Sequence, residues 1–251
     1  MEQSMDAYRE RAVVILSGGL DSTTCMALAD CRGEDIFALT FAYNQRHIRE
    51  IEAAQAVACH YGAHHQIIDL GAVFAASALT STEIRPEVAA PLGGSAVAKM
   101  EAMGCAEKNP VAIATAIPAT YVPARNILFL AYALSFAEKV GARRIYTGVN
   151  ALDNPGYPDC RPEFIAAFQR MIDVGTKAGT EGRSVEVFTP LIEMNKADII
   201  RLALDLDAPL HLTLTCYYGE RPACGECNSC RLRLEGFRLL GKGDPIAYRK
   251  G

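Results

Sequence analysis

Short apolar runs alternate with stretches of helical periodicity along most of the chain. Ala12-Val13-Val14-Ile15-Leu16 and Ile36-Phe37-Ala38-Leu39-Thr40-Phe41 are nearly continuous and rich in β-branched and aromatic residues, the pattern of strands buried on both faces. His65 to Leu70, Arg144 to Val149 and Val185 to Phe188 predict three further strands. Between them lie predicted helices at Thr24 to Ala29, Arg49 to Tyr61, Ile127 to Val140, Pro162 to Val174 and Lys196 to Leu206. In the second of these Ile51, Ala54, Val57 and Ala58 fall at helical spacing, and the third stops at Gly141. A last helical piece is predicted near Leu232 to Leu239. Strands alternating with helices imply parallel βαβ units with right-handed crossovers and helices on both sheet faces. The expected fold class is α/β: a doubly wound, mostly parallel five-stranded sheet over residues 1–205, followed by a small C-terminal zinc-binding region over 206–251. The pattern breaks from Thr80 to Pro118, where Pro86, Pro91, Pro110, Pro118 and Gly93-Gly94 interrupt it, with Ser95 to Met103 as a short capped helix. Two readings of that insertion, residues 86–118, stand side by side: a lid over the ligand edge of the sheet, or inert surface chain.

The first strand runs into Ser17-Gly18-Gly19-Leu20-Asp21-Ser22-Thr23, which therefore occupies a strand-to-helix turn. Adjacent glycines permit a tight turn and leave no side chain to hold a ligand away. The N–H groups and dipole of the new helix point into the same space, and Ser17, Ser22 and Thr23 add hydroxyl donors, so the turn suits phosphate. Neither G-x-x-x-x-G-K-[ST] nor G-x-G-x-x-G is present at this turn, which excludes a Walker A loop and a dinucleotide fingerprint there. The stretch resembles the S-G-G-x-D-S loop of the ATP pyrophosphatase families, which cleave ATP between its α- and β-phosphates and adenylate a substrate. That resemblance implies that the loop, with Leu16 before it and Thr24, Cys25 and Met26 after it, binds ATP and Mg²⁺. A glycine-rich turn that merely starts a helix is the plainer alternative, and Asp21 also suits a helix N-terminus.

Composition narrows the class further. The chain has 251 residues, half of them hydrophobic, enough for a sizeable core. Its net charge of −4 argues against a general nucleic-acid surface without excluding a local basic patch. No apolar run is long enough to span a membrane, and Met1 to Arg11 lacks an apolar signal core, so a cytoplasmic protein is expected. In that compartment nine cysteines suggest metal ligands and buried thiols, not disulfides. Cys216, Cys224, Cys227 and Cys230 form C-x7-C-x2-C-x2-C, with Gly225 easing the first tight turn. Four thiolates match a closed tetrahedral Zn²⁺ site of structural kind; an iron–sulfur cluster uses the same ligands. Cys25, Cys31, Cys59 and Cys105 read as small, buried or half-buried residues, and Cys160 needs no role of its own.

Several stretches sharpen the resemblance: Tyr43-Asn44-Gln45-Arg46-His47, Val122-Pro123-Ala124-Arg125-Asn126 and Gly156-Tyr157-Pro158-Asp159-Cys160-Arg161. Thr189-Pro190-Leu191 before Asn195-Lys196, and Leu214-Thr215-Cys216-Tyr217 leading into the cysteines, belong with them. Together with the loop they resemble the 7-cyano-7-deazaguanine synthase family of the queuosine pathway, over nearly the whole chain except Pro86 to Ala116. The resemblance implies an adenine nucleotide alpha hydrolase-like fold. It also implies ATP-dependent conversion of 7-carboxy-7-deazaguanine and ammonia to the nitrile, with zinc bound. Carried onto this chain, it makes Ser17, Asp21, Lys196 and Arg125 catalytic candidates. Arg46, Asn126, Asp153, Tyr157, Asp159 and Arg161 become substrate-binding candidates, with His47 supporting structure. Small-molecule substrates, a homodimer, and neither nucleic acid nor membrane as partner complete the expectation. The chain departs from the family pattern at Leu20 (often Gln), Ala124 (usually Gly) and Asn154-Pro155 (an aromatic–Ser pair), without loss of a charged or metal-binding group. Competing readings are another adenylating enzyme with the same loop, such as a tRNA thiolase, and a non-enzymatic zinc-containing nucleotide-binding module.

Overall fold

The structure is a computed structural model that describes residues 9–43, 48–71, 73, 121–153 and 156–249. The 86–118 insertion, Arg46, His47, Cys105 and Asn154-Pro155 lie outside the described residues. Five strands form one sheet: β1 (Arg11–Ile15), β2 (Asp35–Ala42), β3 (His64–Asp69), β4 (Arg144–Tyr146) and β5 (Glu186–Phe188). Their order is β3-β2-β1-β4-β5, and every neighbouring pair is parallel. The chain adds strands outward on one side of β1 and then returns to add β4 and β5 on the other. The switch therefore falls between β1 and β4, where ligands of open α/β sheets bind beyond the carboxyl ends of the strands.

The helices are α1 (Leu20–Cys31), α2 (Ile48–His60), α3 (Arg125–Val140), α4 (Pro162–Gly175), the single turn α5 (Lys177–Thr180), α6 (Lys196–Asp205) and α7 (Asn228–Leu239). They cover both faces because side chains alternate along β1. Ala12 and Val14 face a core shared with Met26 of α1, Val57 of α2, Ile199 and Ile200 of α6 and Phe237 of α7. Val13 faces the opposite core, built with Leu130 of α3 and Ile172 of α4. At the open edge, Gln169 of α4 donates to Val185 O at 3.0 Å and accepts from Val187 N at 2.9 Å. Its amide stands in for a further strand and satisfies the edge.

Three boundaries differ most from expectation, the first being α1, which begins at Leu20 inside the glycine-turn motif and not at Thr24. β4 ends at Tyr146, short of the predicted Val149, although Thr147 still donates its N–H to Phe188 O. The chain leaves the sheet there to reach the start of α1: a Cβ on Gly148 would sit 3.1 Å from the Asp21 carbonyl carbon and Ser22 N. α7 begins at Asn228, not near Leu232, with Cys227 as its N-cap residue and Cys230 in its first turn. The cysteine turn and the helix are thus one unit. α5 has no counterpart in the predicted pattern; Thr176 caps it by accepting from Gly179 N.

Ala124 precedes α3 with φ of 55°, a left-handed conformation that crowds a Cβ. Ala124→Gly should therefore stabilise the fold by about 0.5–1 kcal/mol after the loss of glycine's extra unfolded-state freedom. A urea midpoint that falls in the variant would contradict this account.

Candidate active site

The turn after β1 is shaped by close approach. Gly18 has φ of +79°, and a Cβ there would lie 2.6 Å from Ala54 N and Glu50 O, so α2 packs directly on the loop backbone. Within the turn, Ser17 and Ser22 share a hydrogen bond between their Oγ atoms at 3.0 Å, and Ser22 Oγ donates to Gly19 O at 3.1 Å. Gly19 N donates to Ser17 Oγ at 3.3 Å. α1 starts with Gly19 as N-cap and without a side-chain cap, which leaves its first N–H groups facing outward for an anion. Asp21 does not cap the helix.

Asp21 instead meets Lys196. The Lys196 ammonium donates to Asp21 Oδ1 and Oδ2 at 2.8 and 3.0 Å and forms an ion pair with Asp153 Oδ2 at 2.8 Å. Burial works against the charge on Lys196, but Asp21 and then Asp153 outweigh it and hold the pKa above the ordinary lysine value. Lys196 opens α6, which is anchored by Asn195 Oδ1 accepting from Asp198 N at 3.0 Å. Asn150 sets the partners in place. Its Nδ2 donates to Leu191 O and Met194 O at 2.7 and 2.6 Å, and its Oδ1 accepts from Asp153 N at 2.7 Å. Nothing in its sequence context marks Asn150 out; its role comes only from the loops that meet around it.

These groups line one cavity of about 330 Å³ at the switch point, together with Glu50, Arg125 and Asn126. Arg125 opens α3. Burial opposes its charge, while Tyr43 and Asp159 hold its pKa above the usual arginine value. Asn126 ties the neighbouring turn: its N–H reaches Asp159 Oδ2 at 3.2 Å and its Nδ2 reaches Asp159 O at 3.1 Å. Asp159 Oδ1 is buried without a hydrogen-bond partner. Burial pushes the Glu50 carboxyl up to about 7, against the opposing Arg125 charge.

The expected site residues fall into two groups. Ser17, Gly19, Leu20, Asp21, Ser22, Arg125, Asn126, Asp153 and Lys196 line the cavity. Leu16, Thr23, Thr24, Cys25 and Met26 are buried and are not among its lining residues: Leu16 continues β1, bonding Leu39 O, and the other four lie on turns of α1 that pack into the core; Gly18, covered by α2, is also not in the lining. Tyr157, Asp159 and Arg161 also lie outside the lining, Arg161 on the surface at the start of α4. Glu50, Asn150, Tyr217 and Arg233 line the cavity and were not singled out from sequence.

The four cysteine sulfurs lie within 4.8 Å of one another, with Cys224 and Cys230 Sγ 3.9 Å apart. A tetrahedral zinc with bonds of about 2.3 Å sets sulfur separations of about 3.8 Å, so the set fits the ion. Backbone N–H groups of Glu226 and Cys227 point at Cys224 Sγ at 3.4 and 3.3 Å, as suits a thiolate. This centre is fastened to the glycine turn, since Leu214 N donates to Gly18 O at 2.9 Å just before Cys216. Beside it, buried Arg233 donates through Nε and Nη2 to Asp244 Oδ2 and Oδ1 at 2.8 and 2.9 Å. Its Nη1 reaches the Thr213 and Thr215 hydroxyls at 2.6 and 2.9 Å. Cys227→Ser should reduce bound zinc well below one per chain and lower the melting temperature by several degrees. Metal analysis and thermal melting of the purified variant check this, and a metal-free variant of full stability would contradict a structural role.

A parallel sheet with a glycine turn at its switch point, a charged cavity above it and a four-cysteine centre beside it defines an open α/β protein whose ligand site lies at the switch point. More specifically, the chain belongs to the family described as "Queuosine biosynthesis protein QueC", whose model matches residues 11–241. It is 48% identical over 239 residues to the 7-cyano-7-deazaguanine synthase of Acetivibrio thermocellus, covering 95% of this chain and 97% of that protein. To the 7-cyano-7-deazaguanine synthase of Dechloromonas aromatica it is 46% identical over 244 residues, covering 96% and 99%. Among solved structures it is similar to NMN synthetase from Francisella tularensis, with TM-score 0.45, 16% identity and coverage of 96% of this chain and 81% of that one. Among the described residues no helix is long and apolar enough to cross a membrane.

Proposed function

We propose that this protein converts 7-carboxy-7-deazaguanine and ammonia to 7-cyano-7-deazaguanine through adenylated intermediates, splitting ATP to AMP and pyrophosphate. Family membership supports the reading. The observation that carries it is one cavity holding an uncapped helix N-terminus, the Lys196 ammonium and Arg125. A carboxylate resists nucleophiles because it is anionic and oxide is a poor leaving group. Attack of the carboxylate on the α-phosphate gives an acyl-adenylate, ammonia displaces AMP to form the amide, and a second activation of the amide oxygen leads to the nitrile. Most of what the protein must supply is position and charge stabilisation.

In this reading the Ser17-to-Thr23 turn cradles pyrophosphate with its Mg²⁺, Asp21 being the carboxylate for the cation. Lys196 and Arg125 stabilise charge that develops on phosphate. Arg46, Asn126 and Asp153 bind the substrate acid, and Tyr157, Asp159 and Arg161 offer a ring, an acceptor and a donor to the deazapurine. Residues 206–251 act as a zinc-organised unit beside the 1–205 sheet domain. The protein works as a cytoplasmic homodimer without nucleic acid. AMP release measured with and without 7-carboxy-7-deazaguanine tests the proposal. Acid-dependent AMP formation is expected; ADP as the nucleotide product, or turnover that needs tRNA and ignores the deazapurine, would overturn it.

A further inference from the structure

The proposed reaction consumes an amine that at neutral pH exists mainly as ammonium, a cation without a lone pair. A site for it needs an anion to hold the cation and a base to take its proton. Among the described residues three carboxylates line the cavity: Asp21, Glu50 and Asp153. Asp21 and Asp153 are both committed to Lys196. Glu50 stands apart from that triad. It sits in the first turn of α2, whose backbone is pressed onto Gly18, so the carboxylate is carried by a rigid element at the rim of the phosphate loop.

We propose that Glu50 is the general base that binds ammonium and accepts its proton as nitrogen attacks the adenylated carbon, an assignment that rests on the function proposed above. The groups described around it suit the task. Arg125 of α3 is the cation facing it and keeps a fraction of the carboxylate ionised against burial. The Tyr217 side chain borders the same cavity. With its carboxyl raised to about 7, Glu50 is poised near the pH at which it must both release and regain a proton. In the step itself one N–H bond of ammonium breaks and its proton passes to the Glu50 carboxylate. The freed nitrogen lone pair forms the C–N bond. The bond from carbon to the AMP oxygen breaks with its electron pair on AMP. The second proton lost from nitrogen as the neutral amide forms passes to water.

Glu50→Gln, which keeps size and removes the base, separates this role from a structural one. Pyrophosphate release that depends on the acid, measured in a single turnover without ammonia, should stay within about threefold of the parent enzyme. Ammonia-dependent product formation should fall by about a hundredfold or more. Hydroxylamine is largely neutral at pH 7 and needs no base, so its trapping to the hydroxamate should remain within about fivefold of the parent enzyme. Glu50→Asp should recover ammonia turnover to within about tenfold, with a raised KM for ammonium, and this variant decides the matter if Glu50→Gln fails to fold. Loss of the ammonia and hydroxylamine reactions in equal measure, undiminished ammonia use by Glu50→Gln, or a folded Glu50→Asp without ammonia turnover would each overturn the assignment. Failure of the parent enzyme to release pyrophosphate with the acid would instead sink the functional reading, so the two failures are distinct.

Discussion

Lys196→Ala should lower the rate of AMP release by about three orders of magnitude and leave a folded protein. The size follows from the setting. Removing one preorganised charge donor from a reacting centre costs roughly 10²–10³ in rate. Lys196 is also a cation shared by two carboxylates, so its loss adds repulsion to any phosphate entering beside Asp21 and Asp153. Both aspartates border an open cavity, and water can solvate them once the ammonium is gone, which is why the fold survives. Lys196→Arg should restore little, since a planar guanidinium cannot replace a compact ammonium between two carboxylates. Rapid-quench measurement of AMP at saturating ATP and acid, alongside circular dichroism, makes the test. Unchanged AMP release would remove Lys196 from the chemistry.

The largest stability effect is expected at a buried ion pair beside the cavity. Asp244→Ala strips the bidentate partner from Arg233, whose side chain is 1% exposed. Breaking a buried pair by deleting one member typically costs about 3–5 kcal/mol, because the remaining charge has no water to turn to. The Thr213 and Thr215 hydroxyls and Leu210 O still accept from the guanidinium, but none carries charge. Tyr248 also loses the acceptor for its hydroxyl, now 2.6 Å from Asp244 Oδ2. The melting temperature should drop by roughly 10 °C or more for a chain of this size. A fall of only a degree or two would show that water reaches Arg233. Since Arg233 steadies Thr213 and Thr215 on either side of Leu214, which bonds Gly18, a weaker apparent affinity for ATP should accompany the loss of stability.

Five strands, their alternation with helices and the turn after β1 were legible because each depends on short-range pattern. Apolar runs mark strands buried on both faces, and two glycines between a strand and a helix have few other uses. The C-x7-C-x2-C-x2-C spacing likewise brings four sulfurs together through local turns. Legibility failed where spacing along the chain carries no information. Lys196 meets Asp21 from 175 positions away, and only the return of the chain across the sheet brings them together. Glu50 reads as an ordinary first-turn acid of α2 until Gly18 is seen beneath it. Cys25 and Met26 sit next to a phosphate loop in sequence but a turn deeper in space, where the helix carries them into the core.

Local chemistry along the chain thus determined the elements, the glycine turn and the cysteine cluster, each set by backbone preferences, spacing and hydrophobic period over a few residues. Tertiary structure alone decided which charges face one another: Lys196 between Asp21 and Asp153, Arg125 opposite Glu50, and Arg233 locked to Asp244. The reason is physical. Electrostatic pairing falls off with distance in space and is indifferent to separation in sequence, so it is settled only when packing the sheet brings its loops to one edge.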